Sequence, residues 1–338
     1  MDRDFLSCDW GTTSFRLRRV AGPERAVIRE IREQAGVRSL YEEALRSGAE
    51  IEAARADVFA RFLTRKLEAL LAGEKTANLP LVISGMASSS VGWRELPYAN
   101  TPFPLDGCGV RSQELHWSKP EWLGPAYLIS GVATACDMMR GEETEIIGLM
   151  SDASLAMLRE RCLLILPGTH SKHVWIENQS VVDFRTFMTG ELFEVLGGQS
   201  LLRASIDPGA RNGNDSLCES GRAAFQEGVS WAKAHGLASG LFRVRTRAVL
   251  DRRPLADNTW FFSGLLIGAE LESLGRDAGN RPVILGATRR FAELYGLALE
   301  LVAGRAIEWI QLPPEQVEHA AIAAHALFLQ NRTLGEIK

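Results

Sequence analysis

Two short segments carry the residue types that bind phosphate. In one of them, an apolar run at 163–166 is followed by Pro-Gly-Thr-His-Ser-Lys at 167–172. Glycine lets the backbone turn tightly and approach a ligand closely, and the threonine, serine and lysine side chains can donate to phosphate oxygens. A second apolar run follows at 174–176. The segment therefore predicts a β-hairpin with a donor-rich tip.

The same arrangement occurs near the N-terminus. An apolar strand at 5–8 leads into Asp-Trp-Gly-Thr-Thr-Ser at 9–14, and residues 15–20 then alternate between apolar and polar types. When the two segments are aligned, Gly11-Thr12 falls on Gly168-Thr169. We therefore expect a duplicated domain whose two tips face one ligand. The alternative is that two strand-Gly-Thr turns arose by chance.

Composition excludes several other classes of protein. The chain has 338 residues, of which 46% are hydrophobic and 24% charged, with a net charge of −4. This is typical of a globular protein of about two domains that binds neither nucleic acid nor membrane. No apolar run approaches the roughly 18 residues of a membrane-spanning helix, and no signal-peptide pattern opens the chain. Five dispersed cysteines without a C-x-x-C pair suggest a reduced, cytoplasmic protein.

The absence of several known motifs reduces the number of reactions that the chain could catalyse. The chain has no P-loop, no G-x-G-x-x-G after its first strand and no H-E-x-x-H. A clamp of two phosphate-binding tips remains. In such a clamp, Asp9 would hold Mg²⁺ in part through water, since Mg²⁺ keeps several waters and takes few carboxylates. A separate carboxylate would orient and deprotonate an acceptor hydroxyl.

The elements that must position these residues follow in a repeated order. A strand at 79–83 leads into the serine-rich segment 84–90, which is either the ligand end of a sheet or a solvent loop. A strand at 127–132 leads to Asp137 and to a helix whose first-turn acids, Glu143 and Glu145, we interpret as dipole complements. A hairpin, strands and helices occur twice along the chain. The fold predicted is therefore an α/β duplication rather than one doubly wound sheet.

Other segments are assigned by hydrophobic period. We predict one helix over 41–71, a third strand over 26–31, a helix capped by Thr189, and helices over 223–235, 260–274 and 316–329. Strands are predicted at 282–285, 299–302 and 307–310. Arginines at 243–253 alternate with apolar residues and are interpreted as a solvated strand face.

The chain resembles the 2-dehydro-3-deoxygalactonokinase family of the acetate and sugar kinase/heat-shock/actin superfamily. Segments 9–13, 167–169 and 286–287 look like its phosphate-1, phosphate-2 and adenosine motifs. The matching stretches run in order along the chain: 85–93, 97–98, 139–144, 166–172, 184–191 and 263–270. One departure is His173, which stands where the family usually has tryptophan.

The resemblance implies two ribonuclease-H-like (actin-like ATPase) domains with a nucleotide cleft between them. The N-terminal domain would be 1–145 plus a helix at 316–338, with the phosphate-1 hairpin and a sugar-acid pocket. The C-terminal domain, 146–315, would carry the phosphate-2 hairpin and the adenosine site. The implied reaction is phosphorylation of the terminal (6-) hydroxyl of 2-dehydro-3-deoxy-D-galactonate in galactonate breakdown. ATP and Mg²⁺ would serve as cofactors.

The resemblance also assigns roles to individual residues. The general base is Asp137, with Glu142 in reserve and an N-cap role as the structural alternative for Asp137. Residues expected to hold ATP and its metal are Asp9, Gly11, Thr12, Thr13, Gly168, Thr169, Lys172, Gly264, Gly268, Gly286 and Ala287. Residues expected to hold the sugar acid are Ser88, Ser89, Trp93, Arg140, Arg185 and Glu191. For Gly264 and Gly268, plain packing explains the small residues equally well, and Arg140 could instead pair with Glu143 or Glu145.

Two other functions stay open at this point. One is a kinase of another sugar or sugar acid, such as 2-dehydro-3-deoxygluconate, because sequence does not separate epimers. The other is a nucleotide-gated binding protein like actin or a chaperone ATPase. The oligomeric state is also open, with a homodimer as one alternative.

Overall fold

The computed structural model of the protein describes residues 3–22, 24–46, 52–71, 78–120, 123–211, 217–303 and 307–335. The chain forms two compact units. Unit 1 comprises residues 1–159, 178–183 and 318–338, and unit 2 comprises residues 160–177 and 184–317. Among the described residues, no helix is both long and apolar enough to span a bilayer. All five cysteines carry free thiols.

Among the described residues, the first part of the chain forms strands β1 to β10 and helices α1 to α3. The strands are β1 (Phe5–Trp10), β2 (Phe15–Val20), β3 (Val27–Glu33), β4 (Leu79–Gly85), β5 (Ala99–Asn100), β6 (Phe103–Pro104), β7 (Ser112–Glu114), β8 (Leu123–Ile129), β9 (Val132–Ala133) and β10 (Met138–Met139). The helices are α1 (Val37–Arg46), α2 (Glu52–Leu71) and α3 (Glu142–Met150). Two 3₁₀ segments lie at Met86–Ser88 and Ala153–Arg159.

The remainder is richer in helix. Its strands are β11 (Arg161–Leu166), β12 (Ser171–Glu177), β13 (Ser180–Phe187), β14 (Val283–Leu285) and β15 (Trp309–Gln311). Its helices are α4 (Thr189–Gln199), α5 (Glu219–His235), α6 (Leu237–Val249), α7 (Leu255–Leu271), α8 (Leu274–Ala278), α9 (Arg289–Ala303) and α10 (Pro314–Gly335). Two 3₁₀ segments lie at Leu201–Ser205 and Pro208–Arg211.

Unit 1 is built on a sheet with the order β3-β2-β1-β4-β8-β7. Strands β1 and β2 form an antiparallel hairpin, and β4 and β8 run parallel to β1. Side chains of β1 alternate between the two faces, as the strand period of two requires. Leu6 and Cys8 belong to the core shared with α1 and α2, whereas Phe5 packs with residues of α10. Helices therefore cover both faces of this sheet.

Unit 2 is built on strands in the order β15-β14-β11-β12-β13. Again the first two strands, β11 and β12, form an antiparallel hairpin, and β14 and β15 run parallel to β11. A helical core formed by α5, α6 and α7 accompanies this sheet, with Phe261 and Leu265 fully buried. The α/β class predicted from sequence is confirmed.

Five strands of each unit follow the same order, and β7 is an additional strand at the end of the sheet in unit 1. In each, a hairpin is followed by a third strand beside its second strand, and two parallel strands then extend the sheet from its first strand. The sequence predicted a division after residue 145, and α3 crosses that position because it runs from Glu142 to Met150. The compact unit extends to Arg159.

Three assignments by hydrophobic period are wrong. The predicted helix over 41–71 is described as two helices, α1 and α2, and residues 47–51 between them lie outside the described ranges. The arginine-rich segment at 243–253 begins within helix α6 and is not a strand. Helix α6 buries Gly240, Val244 and Arg247 at helical spacing. The predicted strand at 299–302 lies within α9. Short apolar runs do not distinguish a strand from one turn of a buried helix.

Candidate active site

The first hairpin tip, residues 11–14, is fastened to the start of helix α1. Its Gly11 N–H donates to the Ser14 carbonyl at 2.9 Å. The carbonyls of Gly11, Thr12 and Thr13 accept the N–H groups of residues 37, 38 and 36 at 3.0, 3.1 and 3.1 Å. Gly36 is needed at this junction, because a Cβ there would lie 2.3 Å from the Thr12 carbonyl oxygen. The threonine side chains stay exposed, as phosphate ligands would have to be.

The second hairpin tip is fastened in the same way to the start of helix α4. The Glu191 N–H donates to the Thr169 carbonyl at 3.0 Å. A Cβ on Gly190 would lie 2.6 Å from the Gly168 carbonyl oxygen and 2.7 Å from the Thr169 Cα. Each tip therefore depends on a glycine at the start of the following helix. Sequence reasoning missed both glycines, since the contact joins segments more than twenty residues apart.

The two tips differ in length and in the role of one lysine. Trp10 pairs with Phe15 across the first tip, and Leu166 pairs with Lys172 across the second, so the second tip holds one more residue. Lys172, predicted to bind phosphate, is 3% exposed, and its Nζ donates to the His170 carbonyl of its own tip at 3.2 Å. This contact makes Lys172 a support of the tip in the structure described.

Carboxylates gather beside the first tip. Asp9, at the end of β1, has its Oδ2 4.0 Å from Arg16 Nη1, and 26% of its side chain is exposed. Burial raises the pKa of Asp9, Arg16 and Arg18 oppose this shift, and Glu142 adds to it. Burial, together with the charges of Asp9 and Glu142, raises the pKa of Glu145 to about 8. The neighbouring carboxylates that contribute to this shift also favour a cation at the site.

Glu143 is the other first-turn acid of α3. It is 1% exposed, and it accepts the Gly141 N–H at 2.7 Å and the Thr144 hydroxyl at 3.0 Å. Burial and the nearby Glu142 raise its pKa to about 7. The interpretation of Glu143 and Glu145 as dipole complements was therefore too limited. The close spacing of the acids at 142, 143 and 145 was the sequence feature that could have predicted this cluster of carboxylates. Within the described ranges, no three His, Cys, Asp or Glu side chains converge to hold a metal ion on their own.

We expect the raised pKa of Glu145 to make stability depend on pH. Its folded-state pKa of about 8 exceeds the unfolded value, so the folded state binds more protons and loses stability as pH rises from about 4.5 to 8. Glu145→Gln should match the wild type below pH 4.5 and exceed its unfolding free energy by about 1–3 kcal/mol at pH 8, allowing for partial exposure. Urea unfolding across pH checks this. The exposed Glu194→Gln is the control, and an identical pH slope in both variants would refute the expectation.

Asp137 lies in the turn between β9 and β10. Its N–H donates to the Thr134 hydroxyl at 2.9 Å, and its Oδ1 accepts the Met138 N–H at 2.7 Å. The N-cap alternative for Asp137 is wrong, because the N-cap of α3 is Gly141. The reserve base, Glu142, accepts the Arg140 N–H at 3.0 Å and neighbours Asp9 electrostatically.

The serine-rich loop after β4 is organised by Arg140. Its guanidinium donates to the Ser88 carbonyl, to Ser88 Oγ at 2.6 Å, to the Leu96 carbonyl at 3.2 Å and to the Tyr98 hydroxyl at 3.3 Å. The Ser89 hydroxyl donates to the Met86 carbonyl at 2.7 Å. All these serine and arginine side chains are buried. Arg140 therefore holds the loop in place. Its guanidinium bonds to loop residues and does not make the alternative pair with Glu143 or Glu145.

We expect Arg140→Lys to destabilise the protein. Lysine cannot reproduce the fork that bonds three loop residues, and unpaired buried acceptors are costly. The unfolding free energy should fall by about 2–4 kcal/mol, measured by denaturant titration. Arg185→Lys is the matched control, because that side chain is 55% exposed and pairs with Asp277 at 3.0 Å. Equal losses in the two variants would contradict this.

The other predicted sugar-acid residues fall into different surroundings. Trp93 is 4% exposed and packs edge-on against Trp117 at 5.2 Å, so it is a core side chain of unit 1. It also lines a cavity of about 790 Å³ between α1, α2 and residues 115–118. In unit 2, Arg185 lies over the Trp175 ring, and Glu191 accepts His170 Nε2 at 2.5 Å beside the second tip.

The small residues of helix α7 pack against α5. A Cβ on Gly264 would lie 2.0 Å from the Phe225 carbonyl oxygen, and one on Gly268 would lie 2.8 Å from the Val229 Cα. The assignment of these glycines to adenosine is therefore corrected, since both face a helix. Another face of α7 lines a small cavity with Gly168 and Gly190. There Ser263 is 2% exposed, and its hydroxyl has no hydrogen-bond partner among the described residues.

Gly286 and Ala287 lie at the carboxyl end of β14 and are buried. The Gly286 N–H donates to the Ile165 carbonyl at 2.9 Å, which extends the pairing of β14 with β11. This position agrees with a ligand at the carboxyl ends of parallel strands.

Together these features define an α/β protein whose two units repeat one strand order, each with a donor-rich hairpin tip. A sequence profile of the family described as 2-keto-3-deoxy-galactonokinase matches residues 9–323. A Rhizobium meliloti protein named as a probable 2-dehydro-3-deoxygalactonokinase is 32% identical over 303 residues, 88% of this chain and 89% of the relative. The 2-dehydro-3-deoxygalactonokinase of Escherichia coli is 31% identical over 274 residues, 81% of each chain.

A solved structure agrees with the sequence comparisons. A crystal structure described as a candidate 2-dehydro-3-deoxygalactonokinase from Sinorhizobium meliloti has a TM-score of 0.74 and 29% identity, covering 95% of both chains. The chain belongs to the 2-keto-3-deoxy-galactonokinase family, a family of sugar-acid kinases. The resemblance seen in the sequence is confirmed.

Proposed function

We propose that the protein transfers the γ-phosphoryl group of ATP to the terminal (6-) hydroxyl of 2-dehydro-3-deoxy-D-galactonate. This reaction belongs to galactonate degradation, and the five free thiols suit a cytoplasmic enzyme. Support comes from family membership and from two relatives, each more than 30% identical, with this name. Mg²⁺ is the expected metal ion.

The observation that carries the proposal is the similar structure of the two hairpin tips. Each tip has exposed threonine and is fixed to the next helix through a glycine in close contact. The repeated strand order supports two ribonuclease-H-like domains. Family membership is the basis for proposing a nucleotide cleft between them. The domains we infer are those expected from the sequence, 1–145 with 316–338 and 146–315, with the first boundary moved to residue 159 so that α3 stays whole.

Oxygen and N–H groups at these tips fit a metal-bound nucleotide. Mg²⁺ would supply positive charge that offsets the negative charge of the phosphates during transfer. Asp9 would hold the ion together with water and phosphate oxygens, which agrees with a partly exposed carboxylate that has acidic neighbours. Thr12 and Thr13 of one tip, and Gly168 and Thr169 of the other, would donate to phosphates. The Ser263 hydroxyl is buried beside the second tip and has no hydrogen-bond partner among the described residues, and it would face the nucleoside. Gly286 and Ala287, which directly follow β14, would also flank the nucleoside.

The sugar acid would meet the serine-rich loop. Ser88, Ser89 and Trp93 shape this loop, and Arg140 fixes its conformation from within. Arg185, more than half exposed, keeps a guanidinium edge that can bind a carboxylate. Glu191 would accept hydroxyl hydrogen bonds.

The base that takes the hydroxyl proton is Asp137, with Glu142 as the alternative. We expect Asp137→Asn to lower kcat by about 10²–10⁴-fold without changing the KM for ATP, because proton transfer is lost while phosphate contacts remain. Steady-state kinetics checks this. Asp152→Asn is the matched control, since Asp152 also accepts a backbone N–H in a turn, at 2.8 Å from Ser154 N. Normal turnover in Asp137→Asn with loss in Glu142→Gln would transfer the role to Glu142.

The proposal is tested by ADP release with Mg-ATP. The assay offers 2-dehydro-3-deoxygalactonate, its gluconate epimer, glucose or no sugar. We expect turnover with the 2-dehydro-3-deoxy acids alone, and their ratio of kcat/KM identifies the preferred epimer. Sugar-independent ADP release, or none with either acid, would refute a sugar-acid kinase and favour a nucleotide-gated binding protein.

A further inference from the structure

A buried hydrogen-bond network lies beneath the second hairpin tip. Its centre is Glu270 on α7, 3% exposed. The Tyr295 hydroxyl donates to Glu270 Oε2 at 2.7 Å, and the Thr189 hydroxyl donates to the same oxygen. His173 Nε2 lies 3.1 Å from Glu270 Oε1. A buried carboxylate with three such partners is not required for core packing, for which an apolar residue would serve.

The network continues from Glu270 to the tip. The Tyr295 hydroxyl lies 2.9 Å from Ser171 Oγ, and Ser171 Oγ accepts the Gly168 N–H at 3.4 Å. Tyrosine has one hydroxyl proton, and it points to Glu270. Ser171 must therefore donate to Tyr295 and keep a lone pair for Gly168. Because Glu270 Oε2 accepts from Tyr295, the direction of each hydrogen bond from Glu270 to the Gly168 N–H is fixed.

The contact of His173 with Glu270 is consistent with Glu270 as the hydrogen-bond acceptor of the network. Its ring is fully buried, and its Nδ1 has no partner among the described residues. With a proton on Nε2, the ring donates to Glu270 and leaves only a lone pair unsatisfied at Nδ1. A proton on Nδ1 would instead be a buried donor without an acceptor, which is the costlier arrangement.

The network joins the two pieces of chain that form the tip. Through Tyr295 and Ser171 it holds the hairpin, and through Thr189 it holds the first residue of α4. The next residue, Gly190, is the one in closest contact with Gly168 and Thr169. The predicted N-cap role of Thr189 is wrong for this reason: the N-cap is Met188, and the Thr189 hydroxyl is directed to Glu270.

We propose that Glu270, Tyr295 and Ser171 are positioning residues that set the orientation of the second tip toward the nucleotide phosphates. The proposal rests on the proposed function for the identity of the ligand. None of the three needs to touch the nucleotide, and their effect is carried by the backbone of residues 168 and 169. His173 supports the carboxylate from its other oxygen.

The experiment measures hydrogen exchange of the Gly168 amide by NMR and MgADP affinity by calorimetry. Tyr295→Phe and Ser171→Ala each remove one oxygen from the network. We expect each to speed Gly168 exchange and weaken MgADP binding about tenfold, with the KM for the sugar acid unchanged. The double variant should be no worse than either single one, because both break one chain of hydrogen bonds. Glu270→Gln, which reverses a donor and an acceptor, should give a similar loss.

Tyr127→Phe is the control, a second buried tyrosine that lies in unit 1. It should change neither exchange at Gly168 nor ADP affinity. Additive losses in the double variant, or unchanged exchange and affinity in Tyr295→Phe, would overturn the proposal. If the wild type binds no MgADP, the proposed function fails, and Gly168 exchange in the same variants still decides whether the network orients the tip.

Discussion

Gly190→Ala should reduce kcat/KM for ATP by at least about a hundredfold, because the new Cβ cannot be accommodated at the second tip. It would lie 2.6 and 2.7 Å from backbone atoms of Gly168 and Thr169. Backbone atoms cannot rotate away as a flexible side chain would. The tip must move by several tenths of an ångström, and phosphate donors tolerate little misplacement.

The same helix supplies a control for this prediction. Gly198 also lies in α4, and a Cβ there would meet nothing within 4 Å. Alanine is favoured over glycine in a helix, and Gly198 lies in the last turn of α4, so Gly198→Ala should raise the unfolding free energy by up to about 0.5 kcal/mol and leave kinetics unchanged. Gly190→Ala should lower it. Kinetics and thermal melts of both variants check the contrast, and parallel behaviour would show that the close contact has no functional effect.

Asp9→Asn should abolish turnover, with a kcat loss of about 10³-fold or more, while stabilising the ligand-free protein near neutral pH. Activity falls because the amide is a poor ligand for Mg²⁺. Stability rises because the Asp9 charge is one cause of the raised pKa of Glu145, and removing it reduces the repulsion within the cluster. Kinetics with Mg²⁺ and melting curves in chelator measure the two effects.

Asp4→Asn is the matched control on the same hairpin. Asp4 Oδ2 accepts Arg19 Nη2 at 2.9 Å at the opposite end of β1, outside the acidic cluster. This variant should keep its activity and melt at a slightly lower temperature, the reverse pattern. If Asp9→Asn retained turnover, or lost stability as Asp4→Asn does, then Asp9 would be a structural residue only.

The hairpins were predictable because the residues that specify them lie close together in the sequence. Alternation along 15–20 and the glycine-threonine turns specify strand, tip and strand within about fifteen residues. Residues 299–302 were assigned to a strand because so short a segment, with three apolar residues and Glu300, does not distinguish the period of a strand from that of a helix. The helix α9 that contains them begins ten residues earlier.

The site was predictable in part for a related reason. Residue types at the tips indicate phosphate chemistry, yet the groups that fix them come from distant segments. Glu270 is about a hundred residues from Ser171, and Gly36 acts through a van der Waals contact that no residue pattern marks. Arg140 looked like a carboxylate receptor because sequence does not show that Ser88 and Leu96 already occupy its donors.

The last helix determines the order in which the protein can be made. Residues 318–338 belong to unit 1, where His325 Nδ1 of α10 lies 2.8 Å from the Ser7 hydroxyl of β1. Burial lowers the pKa of His325 to about 3, as expected for a ring enclosed on all sides. During synthesis on the ribosome, Val317, the last residue of unit 2, is added before the residues of α10 that cover unit 1. Unit 1 begins to be synthesised first but is completed last. The apolar face of its sheet that α10 covers therefore stays uncovered until α10 has been synthesised.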